Sequence, residues 1–154
     1  MTSEMPRNAL KWLDMPPVWL AAALLLAWQL RGIGPALGRA GDVAGGLLLV
    51  AALALLGLAV REFRRHRTTI VPHEEARALI TTGIYARSRN PIYLADALIL
   101  AGFALVWSAP LGLILVPVFV WIVTKRFIQP EEARLSAKFV AAFDAYAQQT
   151  NRWL

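Results

Sequence analysis

A chain of 154 residues suits one domain, and an apolar share of 58% is too oily for an ordinary soluble one. Cysteine is absent, which excludes disulfides, thiolate metal sites and thiol catalysis, and two histidines are too few for a histidine metal site. The net charge of +6 does not point to nucleic acid, because the basic cluster at 61–67 directly follows an apolar run, where anionic lipid headgroups are the nearer partner.

A bilayer core of about 30 Å takes about 20 apolar residues of helix to cross. Four segments approach that length. The first, 15–31, is short, opens with Pro16 and Pro17, and has Trp12, Trp19 and Trp28 as interfacial anchors. It lacks a small-residue cleavage site, so it is expected to be a span rather than a secretory signal. The second, 43–60, is free of charge, and Gly45 and Gly46 offer close helix packing. The third, 91–109, carries one charge, Asp96. The fourth, 111–128, contains Pro117, expected to kink it, and ends with Lys125 and Arg126, which can snorkel to the interface. The expectation is one all-α membrane domain, 1–154, of four transmembrane helices plus a C-terminal amphipathic helix. The polar stretches 61–90 and 129–154 would form a cap on one side.

Fourteen basic residues, in the N-terminus, in 61–90 and from the end of the fourth span (Lys125, Arg126) onward, fall on one side of such a bundle, and only Arg31 and Arg39 on the other. The positive-inside rule then places both termini and the cap in the cytoplasm. An apolar helix face serves lipid or a second subunit equally well, so the sequence sets no oligomeric state.

The loop at Ser108–Pro110 is short enough to force a hairpin, which returns the end of span four to the face where span three begins. The two polar stretches can therefore meet. Asn90 before Pro91 reads as a helix start, with the free N–H groups and positive dipole end aimed at Asn90–Tyr93 and Arg89 beside them, an arrangement that suits an anion. Tyr85 and Tyr93 add phenols nearby; a plain capped helix with interfacial tyrosines fits the same residues. Asp96, one turn further in, is costly unless it faces a partner, a polar cavity or headgroup-level water. Gln129–Pro130 reads as a second helix start, and Leu135, Phe139, Phe143 and Tyr146 make one apolar stripe. Glu131 lies on the buried edge of that stripe. There it suits a cation, an amine or ribose hydroxyls, or merely serves the helix dipole with Glu132.

Together these segments resemble the membrane methyltransferases, the isoprenylcysteine carboxyl methyltransferases and phospholipid N-methyltransferases. The resemblance rests on Gly83-Ile84-Tyr85, Arg89-Asn90-Pro91-Ile92-Tyr93-Leu94, the hairpin, Glu131-Glu132-Ala133-Arg134-Leu135, Phe139, Tyr146 and Arg152-Trp153. Asn90 stands where His is frequent, a variation of the bacterial branch, which points to a bacterial inner membrane. Val140 and Phe143 stand where the pattern has Gly and Tyr, and Gln149 where the carboxyl methyltransferases have an arginine, Arg152 being the nearest replacement.

The resemblance implies S-adenosylmethionine as methyl donor, bound by Tyr85, Arg89, Asn90, Pro91, Tyr93, Leu94, Glu131, Glu132 and Tyr146, and no metal. The acceptor it implies is lipophilic: a prenylcysteine-like carboxylate, a phospholipid amine or a small thiol. Arg152 is the candidate for holding it, and Asp96 and Glu132 are the candidate bases. No G-x-G-x-x-G follows a strand, consistent with cofactor binding outside a Rossmann fold. Two other readings compete by analogy: an NADPH-dependent enzyme like the membrane sterol reductases, which resemble this family over the R-H-P-x-Y stretch and often carry an Asp shortly after, as Asp96 is here, and a non-catalytic four-helix membrane protein.

Overall fold

The computed structural model describes residues 14–68 and 78–154. Arg7, Lys11 and Trp12, and His73 and Arg77, lie outside the described residues. Among those described, every regular element is helical.

Helix α1 is Pro16–Gln29. Its two prolines occupy the first positions, where a missing N–H costs nothing. At its far end Arg31 Nη1 donates to the Trp28 carbonyl at 3.0 Å, and the guanidinium lies 3.8 Å from the Trp28 ring centre. Helix α2, Gly38–Arg65, is 28 residues and about 42 Å long. It begins before and ends after the expected 43–60, so Arg61, Arg64 and Arg65 form the last turns of a helix rather than the start of a loop. Helix α3 is Pro91–Val106.

The α2–α3 contact is made possible by glycine. A Cβ on Gly45 would lie 2.5 Å from the Gly102 carbonyl oxygen, and one on Gly102 only 2.8 Å from Leu49 Cγ. Gly46, also expected to serve packing, faces open space. The outer face of α2 carries Leu47, Val50 and Leu53, each 66% exposed. That apolar surface suits lipid or another protein and not water.

The return segment departs from a single helix kinked at Pro117. It is a 3-10 turn Pro110–Ile114, helix α4 Leu115–Val123, a π-helical turn Thr124–Ile128 and helix α5 Gln129–Gln149. Pro117 falls in the first turn of α4, where its absent N–H is harmless; the irregularity sits at the 3-10 junction instead. Gln129–Pro130 is not a fresh start either. Ile128 is already helical and no side chain caps α5. Pro130 cannot donate to the Arg126 carbonyl, and the turn before it widens to π. Thr124 Oγ1, donating to the Val120 carbonyl at 2.6 Å, loosens the same stretch. Within α5, Val140 has φ 23° and ψ −101°, so the expected continuous stripe is broken there.

Two helical runs are long and apolar enough to cross a membrane, Gly38–Arg65 and Pro110–Gln149, with two shorter apolar helices, Pro16–Gln29 and Pro91–Val106. Their loops meet at one end, where Gly32 N–H donates to the Ser108 carbonyl at 3.3 Å. A core of Ala27, Tyr93, Leu100, Phe119, Val123 and Ile128 joins α1, α3 and the return segment.

Candidate active site

At the other end the two polar stretches are joined. The Tyr146 hydroxyl donates to the Tyr85 carbonyl at 2.6 Å, and the Thr150 hydroxyl to the Ala86 carbonyl at 3.4 Å. Arg89 N–H donates to the Asn151 carbonyl and Asn90 Nδ2 to the Arg152 carbonyl, both at 3.0 Å. Residues 85–90 thus run alongside 146–152. The turn that presents Tyr85 is a 3-10 segment, Gly83–Ala86, opened by Gly83 at φ 60°, a conformation glycine adopts without strain.

Asn90 occupies the cap position of α3 and Pro91 its first turn, as the dipeptide predicts, but the Asn90 side chain caps nothing. Its amide is committed to the C-terminal strand of chain, and its own N–H is taken by Ser88 Oγ at 3.2 Å. Pro91 and Leu94 bring no polar side-chain atom; Leu94 N–H closes the first turn onto the Asn90 carbonyl at 3.0 Å.

Glu132 is held between two arginines. Arg152 Nη2 reaches its Oε2 at 2.7 Å and Arg89 Nη1 its Oε1 at 3.5 Å. The hydrogen bonds it donates to Glu132 raise the Arg152 guanidinium above even its ordinary value, so it stays charged. Arg89 Nε is buried and has no hydrogen-bond partner among the described residues. Tyr146 is also engaged: burial raises its phenol, and its proton is given to the Tyr85 carbonyl.

Glu131 differs from its neighbour. Contrary to its expected place on a buried edge, it is open to water. Yet enough protein surrounds it that burial raises its carboxyl above the usual range, Arg134 opposing and Glu132 adding to the shift. Tyr85 lies within reach of its field: burial first, then the Glu131 charge, raises the Tyr85 phenol. Neither the Tyr85 nor the Tyr93 hydroxyl is hydrogen-bonded among the described residues. Asp96, half-buried one turn beyond Tyr93, likewise makes no hydrogen bond or ion pair there. One side of the site therefore holds cations already neutralised, and the other holds carboxylates and phenols still unengaged.

Residues 41–142, from α2 into α5, match the phospholipid methyltransferase family model. The chain belongs to the phospholipid methyltransferase family. Its members are methyltransferases. No curated protein and no solved structure matches this member of the family. The matched stretch contains Tyr85 through Leu94, Asp96, Glu131 and Glu132, and stops short of Tyr146 and Arg152.

One group in this phospholipid methyltransferase family member was not anticipated from the sequence. Glu62, in the last turn of α2, is 5% exposed. It accepts a hydrogen bond from Thr82 Oγ1 at 2.6 Å. Its signal was visible only as the single acid among Arg61, Arg64 and Arg65, which on charge alone reads as topology.

Proposed function

We propose that the protein transfers a methyl group from S-adenosylmethionine to the amine of a lipid at the inner face of the membrane, through a bundle of four spans with both termini in the cytoplasm. The observation that carries the choice of acceptor is the Glu132 ion-pair cluster. With Arg152 and Arg89 both paired to Glu132, a carboxylate acceptor finds no free guanidinium from these two, while Asp96 remains to attract a cation. Family membership supports methyl transfer to a lipid-like acceptor.

When bound, S-adenosylmethionine supplies a methyl group already activated on a sulfonium, so the protein's work is alignment and exclusion of water. Glu131 takes the donor's ammonium or ribose hydroxyls. The start of α3 suits its carboxylate. The faces of Tyr85 and Tyr93 suit a sulfonium. Asp96 holds the acceptor ammonium and takes its proton, leaving the nitrogen lone pair free. Glu132 sets Arg89 and Arg152 rather than acting as base.

Calorimetry on protein in nanodiscs tests the reading. Saturable binding of S-adenosylmethionine, weakened at least tenfold in Glu131→Gln, and label transfer to phosphatidylethanolamine but not to a prenylcysteine, are expected. Binding of NADPH without S-adenosylmethionine overturns it, as does label on the prenylcysteine carboxyl.

A further inference from the structure

We infer that Glu62 is a positioning residue of the active site, fixing Tyr85 through Thr82 and Gly83. Glu62 stands on α2, outside the joined segments 85–90 and 146–152, and touches none of the groups assigned above to donor or acceptor. Its carboxylate nevertheless controls the turn that carries one of them. Thr82 Oγ1 donates to Oε2 at 2.6 Å, and Thr82 is the cap residue of the 3-10 turn Gly83–Ala86. Gly83 lies so close that a Cβ there would stand 2.6 Å from both the Glu62 carboxyl carbon and Oε1. The next residue of α2, Phe63, packs edge-on against the Tyr85 ring with centres 5.7 Å apart. Tyr85 N–H in turn donates to the Thr82 carbonyl at 3.1 Å. Two consecutive residues of one long helix thus hold the turn at its entry and the tyrosine at its ring.

A buried carboxylate is an expensive way to fill space. An apolar side chain would pack against Gly83 at less cost, but it would accept no hydrogen bond from Thr82. His66, one turn on, gives the cluster a third contact, with Nε2 3.5 Å from Thr82 Oγ1 and Nδ1 3.9 Å from Glu62 Oε2. Because the Tyr85 carbonyl also receives Tyr146, displacement of this turn passes to the C-terminal segment.

The role of Tyr85 toward the donor rests on the function proposed above, so the test has one readout that needs no ligand. Hydrogen exchange is followed at the amides of Tyr85, Arg87 and Ser88, which bond within this turn, and at core amides of α3 such as Leu100. Thr82→Val, nearly isosteric, and Glu62→Ala are expected to speed exchange in the turn at least tenfold with Leu100 unchanged. Thr82→Ser and Glu62→Gln, which keep a donor and an acceptor, are expected to restore it. In parallel, affinity for S-adenosylmethionine falls about tenfold in the first pair and recovers in the second. Unchanged exchange in Thr82→Val, or equal acceleration in Thr82→Ser, overturns the inference. Faster exchange in a protein that binds no S-adenosylmethionine even as wild type sustains the positioning role and rejects the proposed function instead.

Discussion

Arg152 Nε lies 3.2 Å from both carboxylate oxygens of Glu132, and Arg152 Nη2 closes to 2.7 Å on one of them. The pair ties the end of the chain to the first turn of α5. Glu132→Gln should cost about 1–2 kcal/mol of stability, because Arg89 and Arg152 then face each other without a shared anion and both remain partly wetted. Thermal unfolding in detergent measures this. Arg152→Lys should recover little of the loss in an Arg152→Ala background, since an ammonium cannot match two oxygens at once. Full recovery by Lys would mean that the pair acts only as a point charge.

Tyr146→Phe removes the hydrogen bond to the Tyr85 carbonyl and nothing else of the ring's packing on Phe143. A loss of about 1–2 kcal/mol is expected, with the carbonyl left short of a partner. Turnover should fall while the protein still binds its lipid acceptor. An unchanged unfolding midpoint would show that water replaces the phenol.

The hairpin and the meeting of the two polar stretches were legible because Asn90–Pro91 and Ser108–Pro110 punctuate the chain by local chemistry alone. The fate of the Asn90 amide was not, because a cap and a tertiary partner compete for the same atoms, and the partner lies 62 residues away. Glu62 was hidden for the same reason: nothing near it in sequence announces Thr82. Continuity across Gln129–Pro130 escaped because a π turn absorbs the missing N–H that proline brings, whereas proline in sequence reads as a boundary. The break at Val140 has a trace in the sequence, since the resembling pattern has glycine there.

Val140, at φ 23°, holds a β-branched side chain in a backbone region that only glycine enters freely. Such strain costs about 1–3 kcal/mol, and glycine's extra freedom in the unfolded chain returns about 0.5–1 kcal/mol of that. Val140→Gly should therefore stabilise the protein by about 1 kcal/mol. The side chain is exposed, so little packing is lost. Destabilisation in urea titration would mean that α5 runs unbroken through this residue.

The two adjacent glycines of α2 should respond oppositely. Gly45→Ala drives a methyl into the Gly102 carbonyl and should cost about 1–3 kcal/mol, with α2 and α3 forced apart. Gly46→Ala meets nothing and should be neutral or stabilising by up to about 1 kcal/mol, as alanine suits a helix interior better. Equal effects in thermal melts would place α2 at a different rotation against α3.

Glu131 supplies the pH dependence. Its carboxyl is raised by burial, so the folded protein binds a proton there at a pH where the unfolded chain has lost it. The sign follows directly: the folded state holds more protons in that window, and stability falls as pH rises through it. Binding of an ammonium-bearing donor runs the other way, since it requires the ionised carboxylate. Affinity for S-adenosylmethionine should therefore fall on acidification, and begin to fall above the usual glutamate range near about 4.3. Binding should release protons across the same window, visible as a dependence of the calorimetric heat on buffer ionisation enthalpy. Glu131→Gln should remove both the acid limb and the buffer dependence, whereas Glu132→Gln should keep both, with the limb moved to lower pH because the Glu132 charge helps raise Glu131. An acid limb that survives Glu131→Gln would assign the donor's ammonium to another carboxylate, with Asp96 the next to test.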